Sequence, residues 1–168
     1  MSFGKNDIYD LLNAKNISFT CTEHRPVYSM EELDALEMPA DAVICKNLFL
    51  CNAQKTKFYL LMMPGDKVFK TKDLSSAIGS SRLSFADPSD MEKYLDITPG
   101  SVSVMGLMND TENHVQLIMD KPVVESELLG CHPCVNTSSL RMKTSDVMEK
   151  FLPAVRHEAI IVDLPEYA

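Results

Sequence analysis

The chain has 168 residues and a mass of 18.8 kDa, with 45% hydrophobic and 24% charged side chains. Those proportions exclude a disordered, collagenous or coiled-coil protein and fit one domain spanning 1–168. Sixteen Lys+Arg against 24 Asp+Glu give a formal charge of -8, which excludes a generally basic protein that coats nucleic acid.

The charge is unevenly spread. Residues 1–84 carry ten basic and ten acidic side chains, whereas 85–168 carry six and fourteen. Between 46 and 82, seven basic residues (Lys46, Lys55, Lys57, Lys67, Lys70, Lys72 and Arg82) face only Asp66 and Asp73. The N-terminal MSFGKNDIYDLLNAKNISF has no apolar core and no small-residue cleavage site of a secretory signal, and no apolar run matches a bilayer's thickness. Five cysteines, an odd and small number, argue against a disulfide framework. A cytoplasmic protein with reduced thiols is expected.

Taken in chain order, residues 5–14 put Ile8, Leu11 and Leu12 on one helical face, and 17–22 alternate as a half-buried strand. Ser29 N-caps a short helix, with Glu32 at the capping-box position and Leu33 and Leu36 facing inward. Strands are expected at 42–45, 47–53 and 58–63, the last two forming a hairpin across the 54–57 turn. A helix over 71–78 stops at Gly79, a strand covers 82–86, and Pro88 opens a helix to about Leu95. A Gly-containing loop spans 98–110, followed by a strand at 114–120 and a short strand or helix at 122–130. A strand at 138–142, a helix at 144–151 and a final strand at 158–164 complete the order. Strands and helices do not alternate strictly, so the pattern predicts a mixed or antiparallel sheet with packed helices. No GxGxxG follows the first strand, which argues against a dinucleotide-binding fold.

The motifs are individually weak. Cys131-His132-Pro133-Cys134 lacks a second Cys/His pair for a structural zinc, and the following segment reads as loop and strand rather than the helix of a redox site. Neither a metal nor another cofactor is expected. A Cys–His pair drawn from Cys131 or Cys45 with His132, His114 or His157 stays open, and no GxSxG elbow or phosphate-binding loop exists. Lys46, between AVIC and LFLC, is either on a solvated face or a cation lining a pocket. Gly100 and Gly106 either mark an ordinary turn or permit backbone N–H groups to cradle an oxyanion.

The order of segments is more specific. HRPVYSMEEL, then CKNLFLCNAQKTKFYLLMMPGDKVFKTKDLSSAIGSSRLSFADPSDMEKYLDITPGSVSVMGLMND, then GCHPCVNTSSLRM resembles the YbaK/ProRS-associated-domain family of aminoacyl-tRNA editing proteins. The likeness runs from about residue 5 to 155 and is greatest to the freestanding alanyl-tRNA(Pro) deacylase branch. It implies a single α/β domain with a curved, mixed, barrel-like sheet and surrounding helices. It also implies hydrolysis of mischarged Ala-tRNA(Pro) by water attack on the ester, without a cofactor.

Residue by residue, the resemblance makes Lys46 the pocket lysine of the family's KN(L/F)FL strand and Gly100 the opening of its GxxxP loop, with backbone N–H groups up to Ser103 as oxyanion donors. His132 and Asn136 match its HPNxNT-like loop and are expected to bind substrate. Val104 stands where that family usually has proline, and Cys134 where it has asparagine. Leu33, Leu36 and Met38 are expected as pocket walls, with ordinary core packing as the plainer reading. The implied partners are the acceptor end of tRNA(Pro) and prolyl-tRNA synthetase. Alternatives are a Cys-tRNA(Pro) deacylase, a non-catalytic tRNA- or synthetase-binding module, and a metal-binding regulator using Cys131 and Cys134. The basic stretch at 46–82 fits contact with one acceptor end rather than a whole tRNA.

Overall fold

Two apolar runs in the middle of the chain pair antiparallel and set the frame of the molecule. They are β2 (Ala42–Cys51) and β3 (Phe58–Pro64), in register from Cys45 opposite Pro64 to Cys51 opposite Phe58. The computed structural model describes residues 5–23, 42–65, 67–97, 102–131 and 138–165. Around the hairpin lie β1 (Phe19–Glu23), β4 (Ser84–Phe85), β5 (Val115–Asp120), β6 (Leu128–Cys131), β7 (Ser138–Lys143) and β8 (Ala159–Val162). The sheet runs β1-β7-β6-β2-β3-β5-β8, with β4 added beside the end of β2. Pairs β2–β6, β3–β5 and β5–β8 are parallel, and β1–β7, β6–β7, β2–β3 and β2–β4 antiparallel.

The mixed α/β architecture is as expected, but the barrel-like closure is not found. Among the described residues β1 pairs with β7 and β8 with β5, so the sheet ends in two edges.

Both faces of the central strands are covered, which explains why β3 reads as an unbroken apolar run rather than an alternating one. One face sends Cys45, Phe49, Cys51, Leu60, Met62, Leu117 and Met119 into the larger core, with α1 (Lys5–Ala14) and α3 (Pro88–Leu95) packed there. The other sends Leu50, Tyr59, Leu61, Met63 and Ile118 against Leu74 of α2 (Thr71–Ile78) and against Leu83, Val162 and Leu164. Each fully buried Leu, Ile or Met contributes about 1.5–3 kcal/mol relative to exposure.

Local signals placed α2 well: Gly79 takes φ 66° and its N–H donates to the Ser76 carbonyl in the last turn. Elsewhere packing overrode them. The expected 98–110 loop holds a 3₁₀ helix, Val104–Asn109, because Val104, Met105, Leu107 and Met108 bury themselves. The ambiguous 122–130 segment is both things, helix α4 (Lys121–Glu125) and then β6. The 82–86 strand shrinks to two residues. The last helix continues past Phe151 as Leu152–Ala154, through a π-turn at Val147–Phe151 that accommodates Pro153, which has no N–H to donate. The helix expected after Ser29 lies outside the described residues.

Candidate active site

Strand β2 changes partners at its middle. Its first three residues, Ala42–Ile44, pair with β6, and β4 joins it only at Leu50 and Cys51. On that side, residues 45–48 have no strand beside them among the described residues. Such a break between neighbouring strands opens a crevice where ligands bind in α/β sheets. Lys46 occupies it. Parallel pairing of Ile44 with Gly130 brings the end of β6, at Cys131, level with Cys45.

Alternation along β2 puts Lys46 on the face of Leu48 and Leu50, opposite Met63. It is half-buried, and its Nζ donates to the carbonyl oxygen of Lys67. Lys67 is itself buried, and its Nζ donates to Asp120 Oδ2 at 2.8 Å, with the two side chains 4% and 0% exposed. Asp120 Oδ1 accepts from the N–H of Lys121 at 3.1 Å and of Leu164 at 3.0 Å. A carboxylate at the end of β5 thus fixes Lys67, and the Lys67 carbonyl holds the Lys46 ammonium at the carboxyl ends of β3 and β5. Buried charges persist when paired and hydrogen-bonded, and Asp120 accepts three hydrogen bonds here. The pair was not foreseen: its members lie 53 residues apart and Lys67 read as one more surface cation.

Ser103 is fully buried, flanked by Val102 and Val104 of the larger core, on the other face of β2 from Lys46. Its Oγ accepts from the N–H of Met105 at 3.1 Å and its carbonyl from Gly106 at 3.0 Å, so it caps the 3₁₀ helix. Gly106 does not have a positive φ, and its N–H is used internally. It is glycine for space: a Cβ there would lie 2.4 Å from Ile97 Cδ1. The N–H groups of Met105 and Gly106 are therefore spent inside the 3₁₀ helix. Gly100, His132, Asn136, Leu33, Leu36, Met38 and Cys134 lie outside the described residues.

Asn47, next to Lys46, points to the Ser103 face, and its Oδ1 is buried without a hydrogen-bond partner. An unsatisfied buried acceptor costs about 1–3 kcal/mol, and such atoms are rare in native proteins. Its only signal in the sequence is a second polar residue inside the apolar run AVICKNLFLC.

The Cys–His alternatives lose support at Cys45, where burial pushes the thiol up to about 12, far from a reactive thiolate. His157 sits at the far end of the sheet, its Nε2 3.0 Å from Asp110 Oδ2 and its Nδ1 2.8 Å from the Val155 carbonyl. Asp110 also accepts from the N–H groups of Val115 and His114. Burial would raise its carboxyl, but the His157 and backbone hydrogen bonds together outweigh that and hold it below 3.8. His114 lies exposed against Glu112 at 2.9 Å. No group of three or more His, Cys, Asp or Glu able to hold a metal occurs among the described residues. None of their helices is long and apolar enough to cross a membrane.

A model of the aminoacyl-tRNA editing domain matches residues 24–150 of the chain. The prolyl-tRNA editing protein ProX of Acetoanaerobium sticklandii is 34% identical over 150 residues, covering 89% of this chain and 91% of that protein. The prolyl-tRNA synthetase associated domain-containing protein 1 of Danio rerio is 26% identical over 160 residues, covering 94% of this chain and 86% of its own. Among solved structures, a candidate trans-editing enzyme for prolyl-tRNA synthetase superposes with a TM-score of 0.68 at 14% identity, covering 99% of both chains. The hypothetical protein APE2540 gives a TM-score of 0.71 at 15% identity over 92% of this chain and 97% of that one. At such identities the two structures speak for the fold.

Proposed function

The chain belongs to the aminoacyl-tRNA editing domain family and is an editing enzyme, and from that premise we propose that it removes alanine from mischarged tRNA(Pro). The editing protein of A. sticklandii supports prolyl-tRNA as the substrate class. Alanine is a residue that a prolyl-tRNA synthetase rejects with difficulty, because a pocket shaped for proline cannot strongly exclude a smaller side chain. The protein is then a partner, in sequence of action, of prolyl-tRNA synthetase.

The observation that carries this reading is the ammonium of Lys46, fixed at the break in β2 by the Lys67 carbonyl. An aminoacyl ester is already activated, so a bound water attacks the carbonyl carbon directly and no protein nucleophile is needed. The carbonyl π electrons move onto oxygen, the tetrahedral intermediate collapses, and the ribose oxygen leaves with a proton derived from the water. Alanine and free tRNA(Pro) are the products. Lys46 lies where it stabilises the charge on the ester oxygen or holds the terminal adenosine phosphate. It does not suit the α-ammonium of alanine, which it would repel. His132 and Asn136 bind the substrate, and Leu33, Leu36 and Met38 wall the side-chain pocket. The residues from Gly100 to Ser103 supply main-chain N–H groups.

Incubation with Ala-, Cys- and Pro-charged tRNA(Pro) tests the proposal. Rapid loss of the alanyl ester alone is expected, with Lys46→Ala lowering kcat at least a hundredfold, as removal of one charge-stabilising donor does. Preferential loss of the cysteinyl ester would reassign the specificity. A Lys46→Ala variant as fast as the parent would remove the lysine from the mechanism.

A further inference from the structure

A second feature leads away from Lys46. Two residues beyond Lys67, whose carbonyl holds the Lys46 ammonium, an open groove of about 760 Å³ begins. It is lined by Phe69, Lys70, Thr71, Lys72, Arg82 and Phe85, together with Ser75 and Ser76. Lys70, Lys72 and Arg82 are exposed, and Phe85 is 60% exposed, among the largest exposures of any hydrophobic side chain described. Phe85 meets Phe69 edge-on, with ring centroids 6.1 Å apart.

No acidic residue lines the groove; Asp73, in the same helical turn, is half exposed and is not part of the lining. Other cations of the basic stretch lie away from it. Lys67 is neutralised inside by Asp120, and Lys55 lies 3.5 Å from Asp87 on the surface. In a protein of charge -8, the cations of this groove are a local exception.

Cations spaced along an open groove with an exposed aromatic between them fit one chemistry well. Phosphates take the charges, and an unpaired base stacks on the ring. A wholly duplex ligand leaves the aromatic unused, since its bases are already stacked. Resting on the editing reading above, the geometry points to this groove as the track for the unpaired 3′ end of the tRNA. Lys70, Lys72 and Arg82 contact successive phosphates, Phe85 stacks on a base, and the terminal nucleotide is delivered to Lys46.

The test uses the full chain, a fluorescently labelled single-stranded RNA ending in the tRNA 3′ sequence, a blunt RNA duplex of equal charge, and alanyl-tRNA(Pro). Lys72→Ala/Arg82→Ala is compared with Lys93→Ala/Lys121→Ala, which removes the same charge elsewhere. The first double variant is expected to weaken single-strand binding about tenfold or more and to lower the slope of log affinity against log salt by about 1.4, at ~0.7 per phosphate. Phe85→Ala should weaken it roughly five- to a hundredfold with the salt slope kept. In deacylation both should raise KM and leave kcat near the parent value. Equal binding by both double variants, or loss confined to the duplex, would overturn the groove as a single-strand track. Absence of deacylation by the parent protein would defeat the editing reading, while the binding measurements would still decide the groove.

Discussion

Asp110 and Asp120, 2% and 0% exposed, stand before and at the end of β5, and each holds a basic side chain from another part of the chain. Asp110 gathers His157 and two backbone N–H groups, and its network stops at the Val155 carbonyl. Asp120 gathers Lys67 and two backbone N–H groups, and its network continues through the Lys67 carbonyl to Lys46. The ingredients match and the consequences differ. The first fastens loops to the start of a strand, whereas the second also aims a cation into the break in β2. Burial of a charge is thus weak evidence of function; what the partner's other atoms touch is stronger evidence.

The largest expected effect breaks the Asp120 side of this comparison. Asp120→Asn leaves the Lys67 ammonium buried against a neutral amide and should destabilise the fold by about 3–5 kcal/mol. Urea unfolding measures it, and the surviving folded protein should also deacylate more slowly as Lys46 loses its anchor. A Lys67→Met/Asp120→Leu double variant should recover much of the stability and little of the rate, separating the two roles. A loss below 1 kcal/mol for Asp120→Asn would mean the pair is hydrated.

Asp110→Asn should cost less, about 1–3 kcal/mol, because its amide oxygen still accepts from one backbone N–H. Deacylation at saturating substrate should be unchanged, since the hydrogen bonds of Asp110 run to His157, His114 and Val115 at the other end of β5. The effect carries a pH signature. The folded carboxyl titrates below 3.8, so its stabilisation is complete above that value and fades as pH falls through the depressed one. The stability gap between parent and variant should therefore close in acid. A gap that widened there would reverse the sign assigned to Asp110.

These two networks also mark where the sequence stopped being informative. The hairpin, α2 with Gly79 and the helix opened by Pro88 were legible because their signals are local: an apolar run, a turn, a cap. Lys46 was legible because a charge between AVIC and LFLC is unusual on any reading. Its partners were not, since contacts across 21 and 53 residues leave no local pattern. The same distance hid the true charge of the basic stretch, in which Lys67 counts for the interior and not the surface. The barrel-like closure came from the resemblance and is not found among the paired strands. The 3₁₀ helix at Val104–Asn109 escaped because its glycine suggested a turn, whereas that glycine admits a neighbour.

Gly106→Ala sharpens that last point at a smaller magnitude. A Cβ would lie 2.4 Å from Ile97 Cδ1 and 3.3 Å from Leu95 Cβ. The closer atom is the far end of a side chain that can turn aside, so the cost should fall near the low end of the ~1–3 kcal/mol of overpacked cores. Thermal unfolding reads it, and a cost above 3 kcal/mol would show that Ile97 is held.

The smallest effect comes from the lysine next in sequence to Asp120. Lys121 Nζ lies 3.7 Å from Glu125 Oε1, four residues on, with the side chains 54% and 63% exposed. Lys67 and Lys121 are chemically the same ammonium on the same stem, and both meet a carboxylate within salt-bridge distance. Water is the difference. Around Lys121 it screens the attraction and rehydrates either ion when the other is removed, so Lys121→Ala should change stability by no more than about 0.5 kcal/mol. Around Lys67 no solvent is at hand, and removal of its partner leaves a charge in an apolar interior. The ratio of the two losses, at least sixfold on these figures, measures burial itself. Equal losses would mean that the Lys67–Asp120 pair is no more sequestered than a surface pair and that its hold on Lys46 is correspondingly weak.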